Sequence, residues 1–393
     1  MKNYITLLLL IILVACSSNP TTHKSAHTLR MNICREPPTL DPRKGSEWVG
    51  TAMHYMLFEG LMRLNPNGTT TPAQARSVEI SDDRLTYTFH LRGTQWSDGS
   101  TVTAQDFEMA WKKIIDPDFA AASAYLLYPI KNGEKIKKGE MSVEQFGVKS
   151  VDDLTLVVEL EQPTPYFLDL VSFSIFFPIN YQMDKANPEW MNEASPDFIS
   201  NGPFKLKTWK HNREISYEKN ENYWEAPLIA LDEVHVSMIA DENTALAMYN
   251  KGELDIIGMV ISPIPTEALD HLQKNGILKA HATPATTIIT FNTDRFPFTN
   301  QHIRKALSLA IDRHEIVTNI SQLGEDVATQ IIPPSLSNGK MVDYFKDHDL
   351  AKARSELLEG LQELGIHELP PVTLEYSGSD VNNRLAQILQ RQW

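Results

Sequence analysis

The residues able to do chemistry in this chain are few, and their spacing favours structural uses. Asp82-Asp83, Asp98 and Asp152-Asp153 could pair as the acid and base of a glycoside cleavage, but each stands in a turn-rich setting between strand-like segments, where the short aspartate side chain caps backbone groups. Asp347-His348-Asp349 has the composition of a metal or proton-relay cluster. It opens a helix at Leu350, where acids are favoured by the helix N-terminus, and it reads as a cap. His23 and His27 are spaced i, i+4 but lie in a polar, proline-broken stretch with no third ligand nearby. No Gly-x-Ser-x-Gly elbow, His-Glu-x-x-His, phosphate loop or Cys-x-x-Cys is present. No catalytic residue, metal or cofactor is expected, and the chain does not read as an enzyme. With 36 basic against 50 acidic side chains, the net charge of −14 repels phosphate backbones, so nucleic acid is not an expected partner.

Of the two cysteines, Cys16 carries a reading of its own. The apolar run Ile5–Ala15 behind Lys2 is too short for a bilayer core of roughly 30 Å but suits a secretion signal. It ends in Leu13-Val14-Ala15-Cys16, the pattern of a bacterial lipoprotein box, followed by the polar Ser17–Thr22. Residues 1–15 are therefore expected to be a signal peptide, Cys16 the lipidated first residue, and 16–28 a solvated tether. The expected location is the periplasm or cell envelope, on a membrane through the lipid. Cys34 is left without a partner and reads as a small buried hydrophobe.

The elements alternate between the two periodicities. Leu85, Tyr87, Phe89 and Leu91 alternate with polar neighbours, as do Leu154, Leu156, Val158 and Leu160, and Val234, Val236 and Met238, predicting three half-buried strands. Thr103 to Asp106 forms a capping box for a helix with Phe107, Trp111 and Ile114 on one face. A second helix after Phe298-Thr299-Asn300 carries Ile303, Ala306, Leu307, Ala310 and Ile311 and is expected to pack on a sheet. A third runs from Asp349 to Gly365 and leads into a strand-like Val372–Tyr376. Asp380 or Asn382 then opens a last amphipathic helix, whose Leu385, Ile388, Leu389 and Trp393 are expected to lie uncovered.

A collinear series of motifs connects these elements. Glu36-Pro37-Pro38-Thr39-Leu40-Asp41-Pro42, Phe58-Glu59-Gly60-Leu61 and Trp96-Ser97-Asp98-Gly99 through Phe107 come first. Asn201-Gly202-Pro203-Phe204, Asn220 to Trp224, Lys251-Gly252-Glu253-Leu254-Asp255 and Phe298 to Arg313 follow. Together they resemble the family 5 extracytoplasmic solute-binding proteins, the binding components of ABC importers. The resemblance implies a mixed α/β, two-lobed periplasmic-binding-protein-like fold with an extra small domain. Residues 29–45 and 180–270 would form the first lobe, 46–179 the extra domain and 271–393 a partial second lobe, the chain stopping short of the family's usual length.

The resemblance also implies an extended oligopeptide held by main-chain hydrogen bonds between the lobes, delivery to the importer's permease subunits, and a monomer. Glu47 and Trp48 in the loop from Gly45, Tyr125, and Asn292 at the end of a Thr290–Asn292 strand are the expected ligand contacts. Trp48 and Tyr125 read equally as core residues. Ile288 and Ile289 stand where peptide binders offer aromatic or polar groups. Two alternatives therefore stay open: a shortened copy that binds nothing, or a binder of another small solute such as a dipeptide or metal complex.

Overall fold

The computed structural model describes residues 27–258, 261–281, 283–337, 339–340 and 342–393. The signal segment, Cys16 and His23 lie outside them. The chain divides after Pro263 into two units, a few residues ahead of the expected lobe boundary at 270.

The first unit holds two four-stranded sheets and a short hairpin. Its strands are β1 (Thr28–Ile33), β2 (Met62–Leu64), β3 (Thr70–Pro72), β4 (Ala75–Ile80), β5 (Thr86–Leu91), β6 (Val148–Asp152), β7 (Thr155–Glu159), β8 (Phe204–Lys210), β9 (Glu214–Lys219) and β10 (Glu233–Met238). One sheet runs β1-β10-β9-β8, with β1 parallel to β10 and the rest antiparallel; the other runs β4-β5-β7-β6, antiparallel throughout. The hairpin pairs β2 with β3. Its principal helices are α1 (Trp48–Leu57), α2 (Ala104–Ile115), α3 (Tyr181–Ala186) and α4 (Glu242–Asn250). All three expected strands form, as β5, β7 and β10. In β5 the side chains of Tyr87, Phe89 and Leu91 are buried while their neighbours are half-exposed, as period two requires.

Helix α2 begins with the reciprocal capping box of Thr103 and Asp106. Its Phe107, Trp111 and Ile114 are fully buried, and the Trp111 indole donates to Phe176 O at 2.8 Å while standing edge-on to the Phe176 ring. Trp96-Ser97-Asp98-Gly99 is the expected turn. Gly99 has φ +88°, and Asp98 accepts from Ser100 N at 2.9 Å. Residues of both four-stranded sheets belong to one contiguous core. Asn220 Nδ2 donates to Gly202 O at 2.9 Å, and Tyr223 and Trp224 donate to the buried Glu59 carboxylate at 2.8 and 2.7 Å, so this loop is scaffold.

Two expectations change here. Cys34 is free and only half-buried, because it sits where β1 leaves the sheet. His27 is not part of a loose tether: its Nδ1 lies 2.9 Å from Ala230 O and its carbonyl accepts from Asp232 N, extending the β1–β10 pairing.

The second unit is built from helices α5 (Thr266–Lys274), α6 (Gln301–Ala310), α7 (Leu350–Leu364) and α8 (Asp380–Gln392), and contains no strand among the described residues. Asn300 caps α6 by accepting from Ile303 N, Asp349 caps α7 by accepting from Lys352 N, and Gly365 ends α7 at φ +66°. Helix α6 packs on α7, not on a sheet. Its apolar stripe needs a facing surface, and Ala353, Gly360 and Leu361 supply one; the stripe's period does not say which kind of element will face it. Val372–Tyr376 and Thr290–Asn292 form no strand, because alternation without a hydrogen-bonding neighbour makes no ladder. Ser379, one residue before Asp380 and three before Asn382, holds the start of α8 by accepting from Asn382 N. Most of the apolar face of α8 is covered: Ile388 and Leu389 are buried with Ile311, and Leu374 and Leu385 pack beside them, whereas Trp393 stays 37% exposed, its indole donating to Leu307 O at 3.0 Å.

Candidate functional site

Parallel β1 and β10 end together at Ile33 and Met238, and the chain leaving a parallel pair at its carboxyl end is where open α/β sheets bind ligands. The buried Asn32 amide braces this end. Its Oδ1 accepts from Ile239 N at 2.9 Å and its Nδ2 donates to Ile239 O at 3.0 Å. Pro37-Pro38 follow, and neither residue can donate to a ladder, so the sheet pairing does not continue through them.

Glu36, just before the prolines, gathers the turn between β8 and β9. Its Oε1 accepts from Trp209 Nε1 at 2.9 Å and lies 2.5 Å from His211 Nδ1, while Oε2 accepts from Asn212 N. The Trp209 and His211 rings are 4.4 Å apart. Glu36, Thr39, Trp209, His211, Asn212 and Asn192 help line an open concavity of about 470 Å³. This surface combines the Trp209 and His211 rings with polar groups that hold one another in place.

Two buried groups stiffen the loop behind it. Arg43 is almost fully buried, donating through Nε and Nη2 to Asp41 and through Nη1 and Nη2 to Asp184 at 2.8–2.9 Å. Burial pulls its pKa down, but the two carboxylates outweigh that and leave it raised. His54 lies wholly buried beneath Gly45, where a Cβ would sit 2.4 Å from its Cε1. Burial lowers its pKa to about 4, against weaker opposing pulls from Asp41 and from the Thr39 backbone.

The expected contact residues fall in different places. Glu47 is half-buried and ion-pairs with Arg35, the residue before Glu36, which ties the start of α1 to the sheet end. Trp48 beside it is 66% exposed and Tyr125, on the single turn Ala124–Leu127, is 60% exposed, so neither is a core residue. Asn292 belongs to the second unit. It is exposed, and its Oδ1 accepts from Asp294 N at 3.2 Å in a turn. Ile288 is 61% exposed, whereas Ile289 packs against the cluster of Ile311, Ile388 and Leu389. The sequence reading missed Trp209, His211 and Asn212, and took Glu36 only as part of a motif. Nothing in the spacing links positions about 175 apart; the one local signal was an acid held rigid by two following prolines.

The family profile of the bacterial extracellular solute-binding proteins, family 5 middle, matches residues 69–393. The chain belongs to this family. It is 39% identical over 376 residues to the oligopeptide-binding protein OppA of Bacillus subtilis, covering 94% of this chain and 69% of that protein. It is 35% identical to the dipeptide-binding protein DppE of the same species, covering 97% and 72%. Among solved structures, Listeria monocytogenes OppA bound to peptide superposes with a TM-score of 0.78 at 30% identity, covering 93% of this chain and 74% of that one. The mixed α/β substrate-binding-protein fold expected from the motifs is thus the fold of this family member, and the family places it outside the cytoplasm. No helix among the described residues is long and apolar enough to cross a membrane.

Proposed function

We propose that this family member captures oligopeptides for an ABC importer, held at the cell envelope through a lipid on Cys16 and handing its ligand to the permease subunits as a monomer. The carrying observation is the 39% identity, over nearly the whole chain, to a protein named for oligopeptide binding. The braced sheet end with Glu36, His211 and Trp209, and the exposed Trp48 beside Glu47, are ligand contacts of the first unit in this proposal. Tyr125 and Asn292 are further contacts in this proposal. An extended peptide recognised mainly through its backbone suits a surface of fixed polar groups and aromatic faces.

Calorimetry against a mixed tri- to pentapeptide library tests the binding. Saturable heats are expected, weakened about tenfold or more by Trp48→Ala, since an exposed aromatic anchor contributes about 1.4 kcal/mol or more on desolvation. A chain that binds no peptide but binds another small solute overturns the peptide assignment. For the anchor, mass spectrometry of the N-terminal peptide is expected to find acylated Cys16, and Cys16→Ser to release the protein from membranes.

A further inference from the structure

The α6–α7 pair of the second unit brings together donors that the sequence, read as free of metal sites, did not connect. His302 lies in the first turn of α6, and Glu356, Glu359 and Glu363 project from α7 at spacings of three and four, hence on one face. Gly360 lies between these acids. A Cβ there would stand 2.6 Å from Ile303 Cδ1 and 3.1 Å from Asn300 Oδ1, so a larger residue would force these side chains to shift.

His302 Nδ1 lies 2.7 Å from Glu356 Oε2, and both side chains are mostly buried. With the proton on Nδ1, this carboxylate fixes the ring and leaves Nε2 as a lone-pair donor, the arrangement that orients metal-bound histidines. Nε2 lies 3.7 Å from Glu363 Oε1, too far for a hydrogen bond but the separation expected of two ligands each about 2.0–2.2 Å from one ion. Glu359 Oε2 is 3.6 Å from Nδ1, on the Glu356 side of the ring, and one donor atom from each of His302, Glu359 and Glu363 lies within 4.8 Å of the other two. Asn300 Nδ2 donates to the other Glu363 oxygen at 2.8 Å and sets that carboxylate's direction. Three carboxylates face a single imidazole, and among the described residues no lysine or arginine ion-pairs with any of them. The local charge is therefore negative whichever state His302 takes.

We propose that His302, Glu359 and Glu363 bind one divalent transition-metal ion, with Glu356 holding the imidazole in position. A nitrogen donor with two carboxylates favours zinc or a neighbouring first-row ion over magnesium or calcium, which prefer all-oxygen sites. Bound there, the ion links α6 to α7 and compensates their facing charges.

The full-length chain, stripped with chelator, is titrated with Zn²⁺ by calorimetry and with Co²⁺ by visible absorption. One equivalent should bind with a dissociation constant of about 10 µM or tighter, and Co²⁺ should show the bands of a low-coordinate site with nitrogen and oxygen donors. His302→Gln and Glu363→Gln should each weaken binding by more than about tenfold, and Glu356→Gln by about tenfold. Glu359→Gln, at a more exposed position, should do the same with an unchanged far-ultraviolet circular dichroism spectrum, which separates lost ligation from lost folding. Absence of saturable binding overturns the site. So does stoichiometric binding that survives His302→Gln and Glu363→Gln, which would locate the ion elsewhere, as on His23 and His27.

Discussion

At His54 complete burial has a measurable consequence. Desolvation of the ring outweighs the pulls of Asp41 and the Thr39 backbone, so the folded protein holds it neutral down to about pH 4, whereas an unfolded chain protonates it near the ordinary value of 6.5. Between those values the unfolded state binds the extra proton, so stability falls as pH drops from about 6.5 to about 4 and levels off below. The loss attributable to this group is about 3 kcal/mol. Urea titrations across that range should show the slope, and His54→Gln should flatten it while lowering stability throughout; an unchanged slope would assign the titration to other groups. Glu36 is the contrasting case, a carboxylate with three donors. Glu36→Ala removes the acceptor shared by Trp209, His211 and Asn212 and should loosen the β8–β9 turn, costing about 1–3 kcal/mol and weakening peptide binding. Unchanged binding would remove this end of the sheet from the proposed site.

At the scale of elements, close approaches decide what the sequence periodicities leave open. Gly202 N donates to Leu57 O at 2.8 Å, and a Cβ at Gly202 would stand 2.6 Å from the Leu57 carbonyl carbon and 2.7 Å from Phe58 N. These are backbone atoms that cannot swing aside. Gly202→Ala should therefore cost about 1–3 kcal/mol, read as a lower midpoint in thermal unfolding. What was legible in the chain follows the same division. The capping box at Thr103, the caps at Asn300 and Asp349, the Gly365 stop and the strands β5, β7 and β10 were readable because each depends on residues within one or two turns. The partner of α6, the coil at 372–376 and the covering of α8 were not, because each depends on what faces the element across space. The candidate site divides likewise: Glu47 and Trp48 could be proposed from a neighbouring motif, whereas His211 reaches Glu36 only through the β8–β9 turn.

Across the whole molecule, burial is distributed unevenly between the two units, and stability should follow it. The first unit has two hydrogen-bonded sheets and one contiguous core that includes fully buried Trp96, Trp111, Trp190, Phe89 and Phe107. In the second, among the described residues, no ladder ties distant segments together, and the cluster around α8 consists of buried Ile311, Ile388 and Leu389 with a few half-buried neighbours. Ile331, Ile332, Leu336 and Tyr344 there are each at least 60% exposed. Local opening is governed by the apolar area and hydrogen bonds lost on opening, so α7 and α8 should open at lower free energy than β5 and β10. Native-state hydrogen exchange on the full chain should find the most protected amides of α7 and α8 at least about 2 kcal/mol below those of β5 and β10. In denaturant the second unit should then lose structure first, giving a transition that circular dichroism records as helix loss before the tryptophan fluorescence of the first unit changes. Equal protection and one coincident transition would mean that the units unfold together, with stabilising interactions in the second unit beyond this small cluster.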